Sequence, residues 1–296
     1  MQAPMNRIAQ LLPYRRARWH TALLGTLALT CLALSPWAAA QSLARTQAPL
    51  HDAWSQLLKQ CVTPTADGSS TAAHYDCFQR QQGALQSYLN DLAAIDATRY
   101  AGWAKNQQLA FLINAYNAAT VALILTEYPD LTSIRDLGSL LRSPWKRSFV
   151  SLLGEELSLD EIEHGMIRAP GHFEEPRIHF AVNCASISCP SLRREAYAAN
   201  RLEEQLQAQT EQFLGDNTRN RARKGDLELS SLFKWYREDF EAGWRGARSL
   251  EAFVLLYADA LELKDGDRQR LASGEMDIRF LDYDWNLNVA KKTAKR

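Results

Sequence analysis

The stretch Ala104–Thr126, AKNQQLAFLINAYNAATVALILT, decides the fold class. Leu109, Phe111, Leu112, Ile113, Tyr116, Val121, Leu123, Ile124 and Leu125 fall on every face of a helix. A soluble helix that is apolar all round is a buried central one. Pro129 follows its end, where a helix cannot continue. Asn114 and Asn117 interrupt the apolar surface one turn apart, so they share a side. Buried carboxamides need partners. These two either clamp backbone groups or line a cavity.

Working outward, Phe149–Leu152 and Glu156-Leu157 flank Gly154 as a hairpin. Ser158 and Glu161 then form a capping box, with Leu157 and Ile162 as its hydrophobic staple. The helix so opened runs from Leu159 to about Arg168 and carries Glu163 and His164, with Asp160 and Arg168 one turn to either side of His164. Next comes Arg177-Ile178-His179-Phe180-Ala181-Val182-Asn183-Cys184-Ala185-Ser186-Ile187-Ser188-Cys189-Pro190. Its first half predicts a buried strand and its second half a tight polar loop. Beyond it, Arg201–Leu214 is an amphipathic helix, and Leu227–Leu229 is a short strand. Ser230 or Ser231 caps a helix through Phe240, and Ser249 opens another. Asp277–Asn286 alternates like a strand. The expected architecture is α+β: a predominantly helical single domain with a small mixed or antiparallel sheet. Pro64–Ala73 is expected to be a flexible surface loop.

The N-terminus speaks to compartment. Arg7, Arg15, Arg16 and Arg18 precede the apolar run Thr21–Leu34, and Ala38-Ala39-Ala40 offers a cleavage site before Gln41. This pattern predicts a signal peptide over residues 1–40 and a periplasmic or secreted protein. The apolar run is short for a membrane span, so none is expected after cleavage. Cys31 lies in a poor lipobox, and Arg15-Arg16 matches a twin-arginine signal only loosely. Sec and twin-arginine export stay open. The remaining chain has 30 basic and 34 acidic residues once four arginines are removed from the 34 of each. That balance gives no reason to expect nucleic acid as a partner. Four cysteines remain, and an oxidising compartment allows them to pair. Cys61 with Cys77 closes the 64–73 loop; Cys184 and Cys189 would then pair with each other or stay free. No metal-ligand spacing is present, and no cofactor motif: no phosphate loop, dinucleotide fingerprint, Gly-x-Ser-x-Gly elbow or His-Glu-x-x-His helix.

Five ordered blocks carry a resemblance: Phe111–Ala118, Asp160–His164, Arg177–Pro190, Ser231–Tyr236 and Tyr283–Asn286. Together they look like the domain-of-unknown-function family 547, over about residues 100 to 290. The resemblance brings no settled activity. It implies a fold distantly related to papain-like or transglutaminase-like cysteine enzymes. The chain then divides into the signal peptide (1–40), an N-terminal helical part (41–99), the family-like core (100–290) and a frayed basic tail (291–296).

Three functional readings compete for the polar cluster. In the first, a thiol-dependent hydrolase or acyl transferase uses Cys184 as nucleophile and His179 or His164 as base, oriented by Glu163, Asn114 or Asn117. Backbone amides of Ala185–Ser188 would form the oxyanion site. His179 and Cys184 are five residues apart, so on a regular strand they would face opposite ways. In the second, Cys184–Cys189 is a structural disulfide, Glu163 pairs with Arg168 or Arg177, and the histidines and asparagines are buried structural groups. In the third, an exported module binds a peptide, glycan or small molecule without turnover, through a groove of Trp235, Tyr236, Tyr283 and Trp285. Arg177, Asn183, Ser186 and Ser188 join Asn117 as candidate pocket residues in any of them.

Overall fold

The helix Lys105–Leu125 is buried from Gln108 to Leu125 along almost all of its surface, and other elements pack around it. The structure is a computed structural model that describes residues 49–139 and 142–290. The predicted signal peptide, its cleavage site at Ala40, Cys31 and the 291–296 tail lie outside the described residues. The described residues fall within one compact unit of α+β architecture.

Before the central helix come helices Asp52–Cys61, Tyr75–Arg80, Gln82–Ala93 and Ala97–Ala101. Between the first two lies a hairpin of β1 (Val62–Pro64) and β2 (Thr71–Ala73), paired antiparallel. The loop expected over Pro64–Ala73 is therefore partly strand, closed at its base by the Cys61–Cys77 disulfide. A second hairpin, β3 (Val150–Leu152) with β4 (Glu155–Leu157), turns at Leu153 and Gly154, both with positive φ. Such a turn requires left-handed residues, which is why glycine stands there. After helix Leu202–Leu214, β5 (Arg221–Arg223) pairs antiparallel with β6 (Asp226–Ser230). Strand β7 (Ile278–Leu281) joins β6 in parallel, so this small sheet is mixed.

The apolar interior has two parts. One surrounds the central helix and includes Trp54, Tyr88, Phe111 and Ile178. The other gathers Phe180, Phe213, Phe233, Phe240 and Phe253. Ile178 belongs to the first and Phe180 to the second, so the segment between them joins the two cores.

Local structure departs from expectation in four places. The 177–182 segment is not a strand but a 3-10 turn, Pro176–Phe180, with Pro176 in its first turn and the Glu175 carboxylate accepting from Arg177 N–H. Its alternating apolar residues serve two cores rather than one sheet face. The capping box forms as expected, Ser158 N–H donating to Glu161 and Glu161 N–H to Ser158 Oγ. The helix after it, however, winds as a π-helix over Glu161–Ile167. Such wide turns are frequent at functional sites. The helix expected through Phe240 is two short ones, Leu232–Trp235 and Arg237–Phe240, broken at Tyr236. Only Ile278–Leu281 of the last predicted strand pairs as one; the aromatics beyond it leave the ladder and go to the site below.

The asparagines of the central helix act as clamps. Asn114 Nδ2 donates 2.8 Å to the Tyr197 carbonyl, and Tyr197 N–H returns 2.9 Å to Asn114 Oδ1. Asn117 does the same across Ala181 O (3.0 Å) and Asn183 N–H (2.8 Å).

Replacing Cys61 and Cys77 together by serine should lower the unfolding free energy by roughly 3 kcal/mol, the chain-entropy value for a loop of this size. Urea midpoints of the oxidised protein and the double variant would measure it; equal midpoints would refute the expectation.

Candidate active site

Cys184 stands at the start of a loop that several constraints hold rigid. Asn117 fixes the chain on its N-terminal side. Asn183 spans the loop, donating to Pro190 O at 2.6 Å and accepting from Ala185 N–H at 3.0 Å. The segment after β7 pairs with the loop's outer edge: Ile187 N–H reaches Asn286 O at 2.8 Å, and Asn288 N–H reaches Ala185 O at 3.0 Å. Ser188 Oγ accepts from Asp284 N–H at 2.8 Å. Ala185 is left with φ of 63°, a strained value for a residue with a side chain. Such strain persists only where the surroundings impose it, and it concentrates at functional sites.

The two thiols are both free. The Cys184–Cys189 disulfide of the structural reading is therefore not formed in this structure. Cys184 N–H instead points at Cys189 Sγ, 2.7 Å away. Cys184 Sγ lies 3.3 Å from Ser186 Oγ and 3.2 Å from the Tyr283 hydroxyl. Burial pushes its thiol up, but hydrogen bonds from Cys189, Ser186, Tyr283 and the Ser186 amide outweigh burial and hold it below the ordinary thiol value. Burial and the neighbouring Cys184 push Cys189 the other way. Of the pair, Cys184 is thus the one that gives up its proton more readily.

Cys184 opens onto a cleft of about 350 Å³. Small-molecule sites fall in this size range. Glu163, His164 and Asp160 from the π-helix share the cleft with Tyr116 of the central helix, and Trp145, Trp235, Tyr236, Tyr283 and Trp285 wall it. The break between the short helices at Tyr236 lets its hydroxyl reach Glu163 Oε1 at 2.9 Å. Glu163 therefore pairs with a phenol, not with Arg168 or Arg177.

The histidines do not meet the thiol. No hydrogen bond joins Cys184 to His164 or His179 among the described residues. His179 is buried, stacks on Tyr236 at 3.9 Å between centroids, and bonds Asp239 through Nε2 at 2.6 Å. Burial holds its imidazole below the ordinary value against the pull of Asp239 and Glu163, and because a carboxylate accepts, Nε2 carries the proton of that bond. Its Nδ1 has no partner among the described residues. Arg168 NH1 lies 2.6 Å from His164 Nδ1. Because a guanidinium only donates, Nδ1 must accept and the His164 proton is on Nε2, the side of Asp160 at 3.8 Å. His164 cannot take a thiol proton at Nδ1 while that bond holds.

The oxyanion site expected from the loop amides does not form. Ala185 N–H is given to Asn183, Ile187 N–H to Asn286 and Ser188 N–H to Asp284, and the Ser186 amide supports Cys184 itself. Arg177 is also elsewhere: it is buried between Glu175 and Glu203, with its guanidinium 4.6 Å from the Trp244 ring centre. Asn114, Asn117 and Asn183 position backbone, and Ser188 ties down the C-terminal segment. Among the described residues no group of three or more His, Cys, Asp or Glu is arranged to hold a metal.

Asp239 and Tyr116 were not singled out by sequence. Asp239 bonds both His179 and Arg168. Burial would raise its carboxyl, but those two donors hold it well below the usual range. In the chain it stands in the acidic run Glu238-Asp239 of a short helix, where nothing distinguishes it from solvated charge. Tyr116 did leave a trace: a hydroxyl in a helix otherwise apolar all round must find a polar setting.

Residues 100–214 match a family model, DUF547. The family is described as a protein of unknown function, and the matched residues include Glu163, His164, His179 and Cys184. Trp235, Tyr236, Tyr283 and Trp285, which complete the cleft, lie beyond the matched residues. No curated protein and no solved structure matches the chain.

Two predictions follow from this geometry. Tyr283→Phe removes a donor to Cys184, so its thiol should titrate higher and its alkylation by iodoacetamide at neutral pH should slow by roughly threefold. An unchanged alkylation rate would show that the hydroxyl does not support the sulfur. Asp239 has a depressed folded-state pKa, so its stabilising contribution is complete above the unfolded carboxylate value, about pH 4, and is lost as pH falls further. The difference in urea midpoint between the wild type and Asp239→Asn should accordingly be larger at pH 7 than at pH 3.

Proposed function

We propose that the protein is an exported thiol-dependent acyl-transfer enzyme, a hydrolase or transferase, with Cys184 as its nucleophile. One observation carries the reading: Cys184 is a free thiol that lines an aromatic-walled cleft, with its sulfur within hydrogen-bond reach of the Ser186 and Tyr283 hydroxyls. Covalent catalysis needs an activated thiolate that a substrate can reach. The strained Ala185 and the clamped loop add preorganisation.

Glu163 is the proton carrier in this scheme. Tyr236 holds its Oε1, and no other hydrogen bond from the described residues engages the carboxyl. The Cys184 sulfur adds to an acyl carbonyl carbon as the thiol proton passes to Glu163. The carbon–oxygen or carbon–nitrogen bond then breaks, and the leaving alcohol or amine takes that proton. A thioester remains on Cys184. Attack by water, or by an acceptor alcohol or amine, breaks the thioester, and the attacking group's proton restores the thiol. The Tyr283 and Tyr116 hydroxyls are the donors available in the cleft for the developing oxyanion, in place of backbone amides. A distant relation to papain-like or transglutaminase-like enzymes is consistent with this chemistry and forms part of the proposal.

Export is supported by the basic and apolar N-terminal sequence and by the Cys61–Cys77 disulfide, which belongs to oxidising compartments. Binding without turnover is the second reading. It is favoured by the exposed Trp235 ring, which forms an aromatic patch with Tyr283 and Trp285 at the cleft.

The decisive experiment treats the mature protein with p-nitrophenyl acetate and maps acetylation by mass spectrometry. One acetyl group on Cys184 is expected, absent from Cys184→Ala. Wild-type acetylation at no more than the level of the alanine variant would sink the thiol mechanism and leave the binding reading. The same spectra test export: protein secreted by a bacterial host should begin at Gln41.

A further inference from the structure

The chemistry of the cleft wall points to a substrate class. Half of the lining residues are aromatic: Tyr116, Trp145, Trp235, Tyr236, Tyr283 and Trp285. The acidic groups among the rest are Asp160 and Glu163, and among the described residues no lysine or arginine lines the cleft. Trp235 is 46% exposed. Its ring stacks on Trp285 at 5.8 Å between centroids and lies 4.8 Å from Tyr283. The wall is thus a cluster of indoles and phenols open to the cleft rather than a sealed core.

Two of these rings already attract cations. Arg168 lies 4.8 Å from the centre of Tyr236, and Arg135 lies 5.5 Å from the centre of Trp285. Arg168 is held back by its two bonds to Asp239. Aromatic faces backed by carboxylates recognise alkylammonium groups, whose diffuse charge is cheap to desolvate and is favoured by the ring quadrupole.

We propose that the Cys184 cleft binds the organic-cation end of its substrate, an alkylammonium group seated against Trp235 and Trp285 in the negative field of Asp160 and Glu163. The inference rests on the reading of this cleft as the substrate site, but it does not require Cys184 to turn the substrate over. A neutral apolar ligand would use the rings and waste the carboxylates.

The test uses the mature protein, tryptophan fluorescence and two probes of nearly equal shape: choline and its uncharged tert-butyl isostere, dimethylbutanol. Choline should bind saturably, and the isostere roughly tenfold more weakly. Trp235→Ala should weaken choline by a similar factor, with circular dichroism confirming the fold of this exposed-site variant. The inference is overturned if choline fails to saturate, if the isostere binds equally well, or if Trp235→Ala leaves choline binding unchanged. Choline binding by a protein whose Cys184 resists acetylation would keep the cation site and discard the thiol mechanism. Acetylation without choline binding would do the reverse.

Discussion

The carboxamide of Asn117 ties the Cys184 loop to the buried central helix. Its two bonds, to Ala181 O and from Asn183 N–H, are buried. In that setting each unmade bond costs the full desolvation of its partner. The clamp therefore fixes where the chain enters the Cys184 loop. Asn114, one turn earlier, fixes Tyr197 in the same way. The helix is the frame on which loops that would otherwise be irregular are registered.

From that frame the site is built outward in layers of polar satisfaction. Asn183 closes the loop on itself, and the C-terminal segment zips along its edge through Ile187, Ser188 and Asn288. These bonds consume the loop's amides. What remains turned toward the cleft is the sulfur, with the Ser186 and Tyr283 hydroxyls and the Ser186 amide around it. Electrostatics follow: the donors around Cys184 favour its thiolate, while Cys189, facing that charge, is driven to stay protonated.

A second network lies behind the cleft. Asp239 joins His179 to Arg168, and Arg168 continues to His164. It orders the imidazoles so that neither reaches the thiol, although both stand close to the aromatic wall through Tyr236. A Cys–His arrangement inferred from residue types alone is thereby replaced by a Cys–Tyr–Glu cleft with a His–Asp–Arg support.

The sequence by itself determined what is local. The apolar periodicity of Ala104–Thr126 required a buried helix, Ser158 and Glu161 required a capped start, Gly154 required a turn, and the Cys61–Cys77 spacing allowed the short disulfide. Each depends on neighbours within a few turns of chain. The alternation in 177–182 misled because a 3-10 turn feeding two cores distributes apolar residues much as a strand does. Only the tertiary structure decided the partners of the polar groups. Asp239 meets His179 across 60 positions, and Tyr283 meets Cys184 across 99. Such pairings leave no periodic signal, because they are fixed by how whole elements pack and by the cost of leaving any buried donor or acceptor alone.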